Sequence, residues 1–159
     1  MHKILFMICY CLTFAAIPAS AQDSSFARLK GKWMARQLVV KIVSYPEGLP
    51  VENYETADKD RMVKAGKDIL TGLELGDFNY VGDRNGAGER GGYMPSGVQQ
   101  LECRKEMPPG FQGQATVKKY SWKLTGGQLT LEPEPAIYRD PATGRFVKAT
   151  FVCTYSKID

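Results

Sequence analysis

Few side chains in this chain of 159 residues are able to carry out chemistry, and only one of them is a histidine. That residue, His2, lies in a leader-like segment together with Cys9 and Cys11. Cys103 and Cys153 are the thiols that follow this segment. Nucleophilic catalysis usually needs a histidine base, and a zinc site would need two further ligands. We therefore expect no catalytic residue, no metal and no cofactor. We predict that Cys103 and Cys153 form a structural disulfide, with a zinc site or a catalytic thiol as the alternatives.

One glycine motif imitates a nucleotide-binding fingerprint. Residues 86–91 read GAGERG, which matches Gly-x-Gly-x-x-Gly. This fingerprint binds a pyrophosphate only where a strand precedes it and a helix opens within it. The residues that follow are GYMPSG, whose proline and glycines do not suit that helix. We therefore expect no dinucleotide site.

Acidic and hydroxyl groups offer further candidates for a site. The oxygen-bearing residues between 77 and 89 lack the spacing of a helix-loop-helix calcium site. Glu132 and Glu134 each precede a proline, and carboxylates in this position typically protect the edge of a sheet. Ser96 is the most exposed candidate nucleophile, and spacing alone leaves a serine–lysine dyad open. A histidine-free hydrolase is therefore an alternative to the non-enzymatic protein that we expect.

The N-terminus has the pattern of a secretory signal peptide. A short basic start is followed by an apolar stretch at residues 4–17 and by Ala19-Ser20-Ala21, a small-x-small cleavage pattern. The alternative is a membrane helix, but a span needs about 20 apolar residues and Pro18 ends this run too early. We predict a leader at residues 1–21, an exported protein in the periplasm or outside the cell, and no integral membrane segment after cleavage.

The remaining chain, residues 22–159, has the length of a single domain and only a mild positive charge. The formal net charge of the whole chain is +4, and Lys3 accounts for one unit of it. The basic residues are dispersed, whereas a nucleic-acid-binding protein concentrates them on one face. We therefore expect no nucleic-acid partner.

Most of this domain reads as β-strand. The stretch KWMARQLVVKIVSY is rich in β-branched and aromatic residues, and Met34, Leu38, Val40 and Ile42 share one parity, interrupted by Arg36. Further strands are predicted in DILTGLEL, FNYVG, VQQLECRK, ATVKKYSWKL, LTLEPEPAIY and FVKATFVCTYSKI. Short strands meeting at close turns predict an all-β antiparallel sheet, which hides its edges best by closing into a barrel.

Two segments depart from this strand pattern. In ETADKDRMVKAGKD, Thr56 or Asp58 is a potential N-cap, and the thin apolar face predicts a solvated surface helix or an ordered loop. Residues 82–97 carry six glycines and a proline, a composition that predicts a mobile surface loop. Before the first strand, residues 24–31 predict one short helical turn.

Three motifs resemble those of lipocalins and of bacterial lipocalin-like domains. LKGKW resembles the Gly-x-Trp motif that leads into the first lipocalin strand, where the tryptophan closes the narrow end of the barrel. YSWKLTGGQLTL and LELGDFNYV look like hairpins of bacterial lipocalin-like domains. The resemblance implies a small up-and-down barrel; Arg139 and Arg145 are candidates for the late arginine that stacks on the tryptophan. Another small barrel or a sandwich is the alternative fold.

The resemblance also implies a binding function. We expect an exported protein that takes a small apolar or amphipathic ligand into the mouth of the barrel, with residues 86–97 as a lid. The expected ligand-binding residues are Trp33, Phe78, Tyr80 and Trp122 as apolar wall, and Arg84 and Arg90 for an anionic head group. The alternative is an envelope protein-interaction module, an inhibitor or an immunity factor, that contacts a protein partner through its Gly- and Pro-rich loops.

Overall fold

A computed structural model describes residues 26–66 and 68–159, so the predicted leader lies outside the described residues. This part of the chain contains ten strands and one α-helix, preceded by a helical turn at residues 26–30. The strands are β1 Gly31–Ser44, β2 Pro50–Thr56, β3 Gly72–Leu75, β4 Asn79–Arg84, β5 Ala87–Gly97, β6 Gln100–Lys105, β7 Val117–Thr125, β8 Gln128–Pro133, β9 Ala136–Arg139 and β10 Phe146–Ile158, and the helix is α1 Lys59–Ala65.

Eight of these strands form a closed antiparallel barrel. They follow the order β1-β3-β4-β5-β6-β7-β8-β10, and β10 pairs with β1 to complete the circle. The seam is long, since its register runs from Lys32 opposite Ile158 to Ser44 opposite Val147. The predicted all-β class and closed antiparallel barrel are confirmed.

The two remaining strands extend one end of the barrel. Along β1, the first residues, Gly31 to Met34, pair with β3, and the second half, from Leu38 to Val43, pairs with β2. In the same way β8 pairs with the late part of β10, and β9 pairs with its first residues, from Phe146 to Ala149. The order β2-β1-β10-β9 therefore continues the wall past the barrel as a four-stranded sheet.

The inward face of β1 changes parity at a bulge. Trp33 and Ala35 are buried before it, and Leu38 and Val40 are buried after it. The register with β10 shifts between Ala35 and Gln37, because an extra residue in one strand moves the following side chains to the other face. The prediction that Met34 shares a face with Leu38 is therefore wrong, although the interruption at Arg36 marked the position of the bulge.

The glycine-rich segment is a strand of the barrel. Residues 87–97 form β5, which pairs with β4 on one side and with β6 on the other. Glycine disfavours an extended strand through its backbone entropy, but two flanking ladders of hydrogen bonds hold this segment in place. The prediction of a mobile loop with a lid at residues 86–97 is therefore wrong.

Helix α1 packs across the end of the barrel that the extension prolongs. Its N-cap is Asp58, whose side chain accepts a hydrogen bond from the Arg61 backbone N–H at 2.8 Å. Met62 is fully buried, and Arg84 at the end of β4 donates to the Val63 and Gly66 carbonyl oxygens. The helix and its cap were predicted, but α1 closes the core instead of lying free on the surface. No helix of the described residues is long and apolar enough to cross a membrane.

The predicted disulfide is absent from the structure. Cys103 on β6 and Cys153 on β10 are both buried free thiols. Strands β7 and β8 lie between them in the barrel wall, whereas bonded cysteines hold their Cα atoms within about 7 Å. The predicted export and the even cysteine count led to the prediction, but neither specifies which strands carry the two thiols.

Candidate functional site

The interior of the barrel is filled by its own side chains. Seven large aromatic residues of the described chain are at most 8% exposed: Trp33, Tyr80, Tyr93, Tyr120, Trp122, Phe151 and Tyr155. The cavity that remains, lined by Tyr80, Tyr120 and the surrounding leucines, is about 20 Å³. Since one water molecule needs a space of roughly 10–15 Å³ on this measure, the cavity is about one water in size.

Trp33 closes the end of the barrel opposite α1. Its indole N–H donates to the Leu29 carbonyl oxygen at 2.8 Å, which ties the N-terminal helical turn over the opening. The Lys157 ammonium lies 5.5 Å from the centre of the Trp33 ring. Gly31 has a φ of +128°, and a Cβ there would lie 2.5 Å from Lys157 Cε, so the glycine two residues before Trp33 makes room for this cation. Arg139, a candidate for the arginine that stacks on this tryptophan, instead donates a hydrogen bond to the Gly144 carbonyl oxygen in the β9–β10 turn.

The predicted ligand-binding residues are divided among separate places. Trp33, Tyr80 and Trp122 are buried in the filled interior. Arg84 donates to carbonyl oxygens of α1 and of the residue that follows it. Phe78 is 71% exposed in the β3–β4 turn, and Arg90 is exposed on the outside of β5. The structure therefore does not bring the six predicted residues together in one site.

A charged cluster lies inside the barrel near α1. The Glu89 side chain is 6% exposed, and the ammonium groups of Lys105 and Lys118 each lie 3.7 Å from one of its carboxylate oxygens. Lys118 also contacts Asp68 at 3.1 Å, and the Tyr80 hydroxyl donates to Glu89 Oε1 at 3.2 Å. The buried carboxylate is thus paired and hydrogen-bonded, as burial of a charge requires.

Burial keeps the neighbouring acids of the core protonated. It raises the pKa of the Cys103 thiol to about 12; the Glu89 carboxylate adds to this effect and the Lys118 ammonium opposes it. Burial likewise raises the pKa of Cys153 to about 11 and, together with Glu89, raises that of Tyr80. A reactive cysteine needs a lowered pKa and exposure, so neither thiol is suited to be a nucleophile at neutral pH.

The open space of the molecule lies outside the barrel, on the outer faces of β4, β5, β6 and β7, which we call the outer wall. A groove of about 650 Å³ lies between β5 and residues 107–109, where the β6–β7 loop leaves the barrel, and it reaches the rim at which Glu89 and Lys105 of the charged cluster lie. A second groove of about 560 Å³ lies over the middle of β5 and β6. Both are lined by Arg90 and Glu106, whose charged groups are 4.0 Å apart. The outer wall therefore offers two adjoining depressions beside one exposed ion pair.

Cross-strand pairing fixes which residues meet on the outer wall. One row runs from Asn79 through Gly92 and Arg104 to Val117 across the four strands. Along β5, Arg90 and Met94 flank Gly92 on the same face, because side chains two apart in a strand point the same way. Apolar and charged side chains therefore surround a position that has no side chain.

Comparison with protein-family models finds no matching family, and comparison with curated proteins finds no match.

Sequence reasoning missed both the charged cluster and the outer wall. Glu89, Gly92 and Arg90 fall in the segment that was interpreted as a loop, so no face was assigned to them. Lys118 offered a usable signal, since it shares parity with the core residues Tyr120 and Trp122. A lysine at an inward position of a strand indicates a buried acidic partner.

Proposed function

We propose that this protein is a non-enzymatic binding module that engages a protein partner through its outer wall. The observation that carries the proposal is the distribution of space: about 20 Å³ inside the barrel against about 650 and 560 Å³ in the two outer grooves. A small-molecule site normally buries most of its ligand in an enclosed cleft. Open grooves on a rigid sheet are better suited to a protein surface.

The chemistry of the outer wall supports a protein partner. Val81, Met94 and Val117 are 50%, 57% and 41% exposed, and charged side chains lie between them. Exposed apolar side chains surrounded by polar groups are typical of interaction sites. The β6–β7 loop adds Pro108, Pro109 and the half-exposed Phe111, in agreement with the expectation that a Pro-rich loop takes part in contact.

The cell envelope is the compartment in which we propose this contact occurs. The signal-peptide pattern of residues 1–21 supports export, and loss of the leader would leave a chain without histidine. A compact barrel that binds without catalysing fits an inhibitor or an immunity factor. A small apolar ligand inside the barrel would first have to displace aromatic core residues, so the filled interior favours the protein-binding alternative.

Site-specific photo-crosslinking tests this proposal. A benzophenone amino acid is placed at Val81 or Val117 on the outer wall and, as the control, at Ile137 on β9, which is 51% exposed against 50% for Val81. We expect a discrete adduct with one protein from the outer-wall positions in intact cells of the organism that makes the protein, and none from Ile137. Adducts from all three positions alike, or from none, would contradict the proposal.

A further inference from the structure

Two glycines of β5 have no role in the packing of the barrel. A Cβ added at Gly91 would lie 2.1 Å from the Arg104 carbonyl oxygen, so the barrel itself requires glycine there. A Cβ at Gly88 would meet nothing within 4 Å, and one at Gly92 would meet only the Phe78 carbonyl oxygen at 3.5 Å, an ordinary contact. Glycine weakens a strand, and in a strand interior it often marks the close approach of a ligand or another backbone.

The missing side chain at Gly92 leaves a depression that we call the Gly92 notch. Asn79 and Arg104 border it across the sheet, and Arg90 and Met94 border it along β5. Arg90 and Glu106 separate it from the groove over Gly88, which lies next to the β6–β7 loop. The notch is therefore a defined position within the outer wall and has a cation on each of two sides.

Arg104 carries a charge that the protein does not neutralise. Its guanidinium group has no hydrogen-bond or ion-pair partner among residues 26–66 and 68–159. The nearby carboxylate of Glu102 is paired instead with Lys119 at 3.7 Å. Arg90 is 4.0 Å from Glu106, and both side chains are more than 60% exposed, so that pair is weak and available to a competitor.

We propose, on the basis of the function proposed above, that the Gly92 notch receives the carboxylate of one Asp or Glu in an extended segment of the protein partner. Arg104 binds that carboxylate, with Arg90 as the second cation, since guanidinium groups pair with carboxylates through two parallel hydrogen bonds. Met94 and Val117 contact an apolar neighbour of the acid. Glu102 and Glu106 face the same groove and repel a polyanion, so a single carboxylate among apolar residues fits better than a nucleic acid or an anionic membrane.

Filling the notch tests the proposal without disturbing the barrel. Gly92→Thr adds a side chain where the backbone has room for it. Ala136→Thr, which also adds a side chain at an exposed strand position but on β9 and outside both grooves, is the control. Arg104→Ala removes the cation and leaves the glycine. Circular dichroism and thermal melting establish whether each variant is folded. If Gly92→Thr does not fold, Arg104→Ala still tests the proposal.

A randomised peptide library displayed on phage is the probe. We expect the wild-type protein to enrich peptides that carry Asp or Glu beside an apolar residue. For a synthetic peptide of the enriched sequence, Gly92→Thr and Arg104→Ala should each raise the Kd about tenfold or more, as loss of a charged hydrogen bond does. Ala136→Thr should change the Kd by no more than about twofold. Replacing the acid of the peptide by its amide should weaken binding to the wild type but not further weaken binding to Arg104→Ala.

Four outcomes would overturn the assignment to the notch. Enriched peptides without acids, or equal losses from Ala136→Thr and Gly92→Thr, would refute the carboxylate site while outer-wall crosslinks still stood. Self-association that Gly92→Thr abolishes would identify a second copy of this chain as the occupant. Absence of outer-wall crosslinks together with absence of enrichment would refute the proposed function as well.

Discussion

On the inner face of β5, Glu89, Gly91 and Tyr93 each have a structural partner: the lysines of the charged cluster, the backbone of β6 and the Gly76 carbonyl that accepts from the Tyr93 hydroxyl at 2.7 Å. On the outer face of the same strand, Gly88 and Gly92 have none that requires a glycine. The two faces have the same backbone and differ in what constrains their residues. On β5, the residues whose identity the barrel does not require are therefore the better candidates for binding.

The largest expected difference between the inside and the outside concerns stability. Leu129→Ala, at a fully buried position of the core, should lower the free energy of unfolding by about 2–5 kcal/mol, because it leaves a cavity in a tightly filled interior. Val81→Ala, at a half-exposed position of the outer wall, should change it by no more than about 0.5 kcal/mol. Urea denaturation measures both values, and similar losses for the two variants would contradict a filled interior.

Alkaline pH should destabilise the interior of the barrel. Burial raises the pKa of Cys153 from 9.0 to about 11, so the folded state favours the protonated thiol. The resulting stabilisation is complete below pH 9, falls as the pH rises towards 11, and corresponds to about 2–3 kcal/mol for this group. Unfolding by urea at pH 8 and pH 11, with a reductant present, should show the loss.

Cys153→Ala is the control, since its stability should fall less over the same pH range. The thiol count provides a second check. Without reductant, the unfolded protein should expose both Cys103 and Cys153 to a thiol reagent, and the native protein should react slowly. If the mass of the native protein were lower by two hydrogens, the predicted disulfide would be present after all.

A smaller effect on stability is expected from replacing Glu89, on the inner side of the barrel wall, or Glu106, on its outer side. Glu89→Gln removes a carboxylate that is 6% exposed and leaves Lys118 with Asp68 alone, so we expect a loss of about 1–3 kcal/mol in the free energy of unfolding. Glu106→Gln removes an exposed partner at 4.0 Å and should cost at most about 1 kcal/mol. Chemical denaturation of both variants at pH 7 measures the difference, which would vanish if Glu89 were solvated.

The smallest effect should have the opposite sign. Gly92→Thr should raise the free energy of unfolding by about 0.5–1 kcal/mol, because threonine favours a strand and the position has space for it. Gly91→Thr is the contrasting variant and should be strongly destabilising, since its Cβ would collide with the β6 backbone. Thermal melting measures both. A destabilised Gly92→Thr would show that the barrel itself needs this glycine.

Strand β10 was predictable because the alternation in its sequence shows which side chains face the core. Val147, Ala149, Phe151, Cys153 and Tyr155 alternate with polar or half-exposed residues, and all five are buried. The closed antiparallel barrel followed from such patterns and from the turns between them. The tryptophan that closes one end was expected at Trp33, although the cation beside it is Lys157 and not an arginine. The lipocalin resemblance stays a prediction.

Strand β5 was not predictable in the same way, because alternating side chains are the signal and its glycines have none. Its conformation depends on pairing with β4 and β6, and the sequence of β5 alone does not indicate that pairing. The candidate site was missed with it. The interior offered a better chance, since the many inward Tyr and Trp residues could have been compared with the volume of an eight-stranded barrel, which side chains readily fill.

The seam between β1 and β10 has a consequence for how the molecule is made. Lys32 is opposite Ile158, so the first strand of the barrel finds its partner only when the last one has been synthesised. Until then both edges of the growing sheet are open to other chains, and contacts so distant along the sequence form slowly. The nascent protein should therefore depend on chaperones to prevent aggregation before closure, more than a protein whose neighbouring segments pair as they emerge.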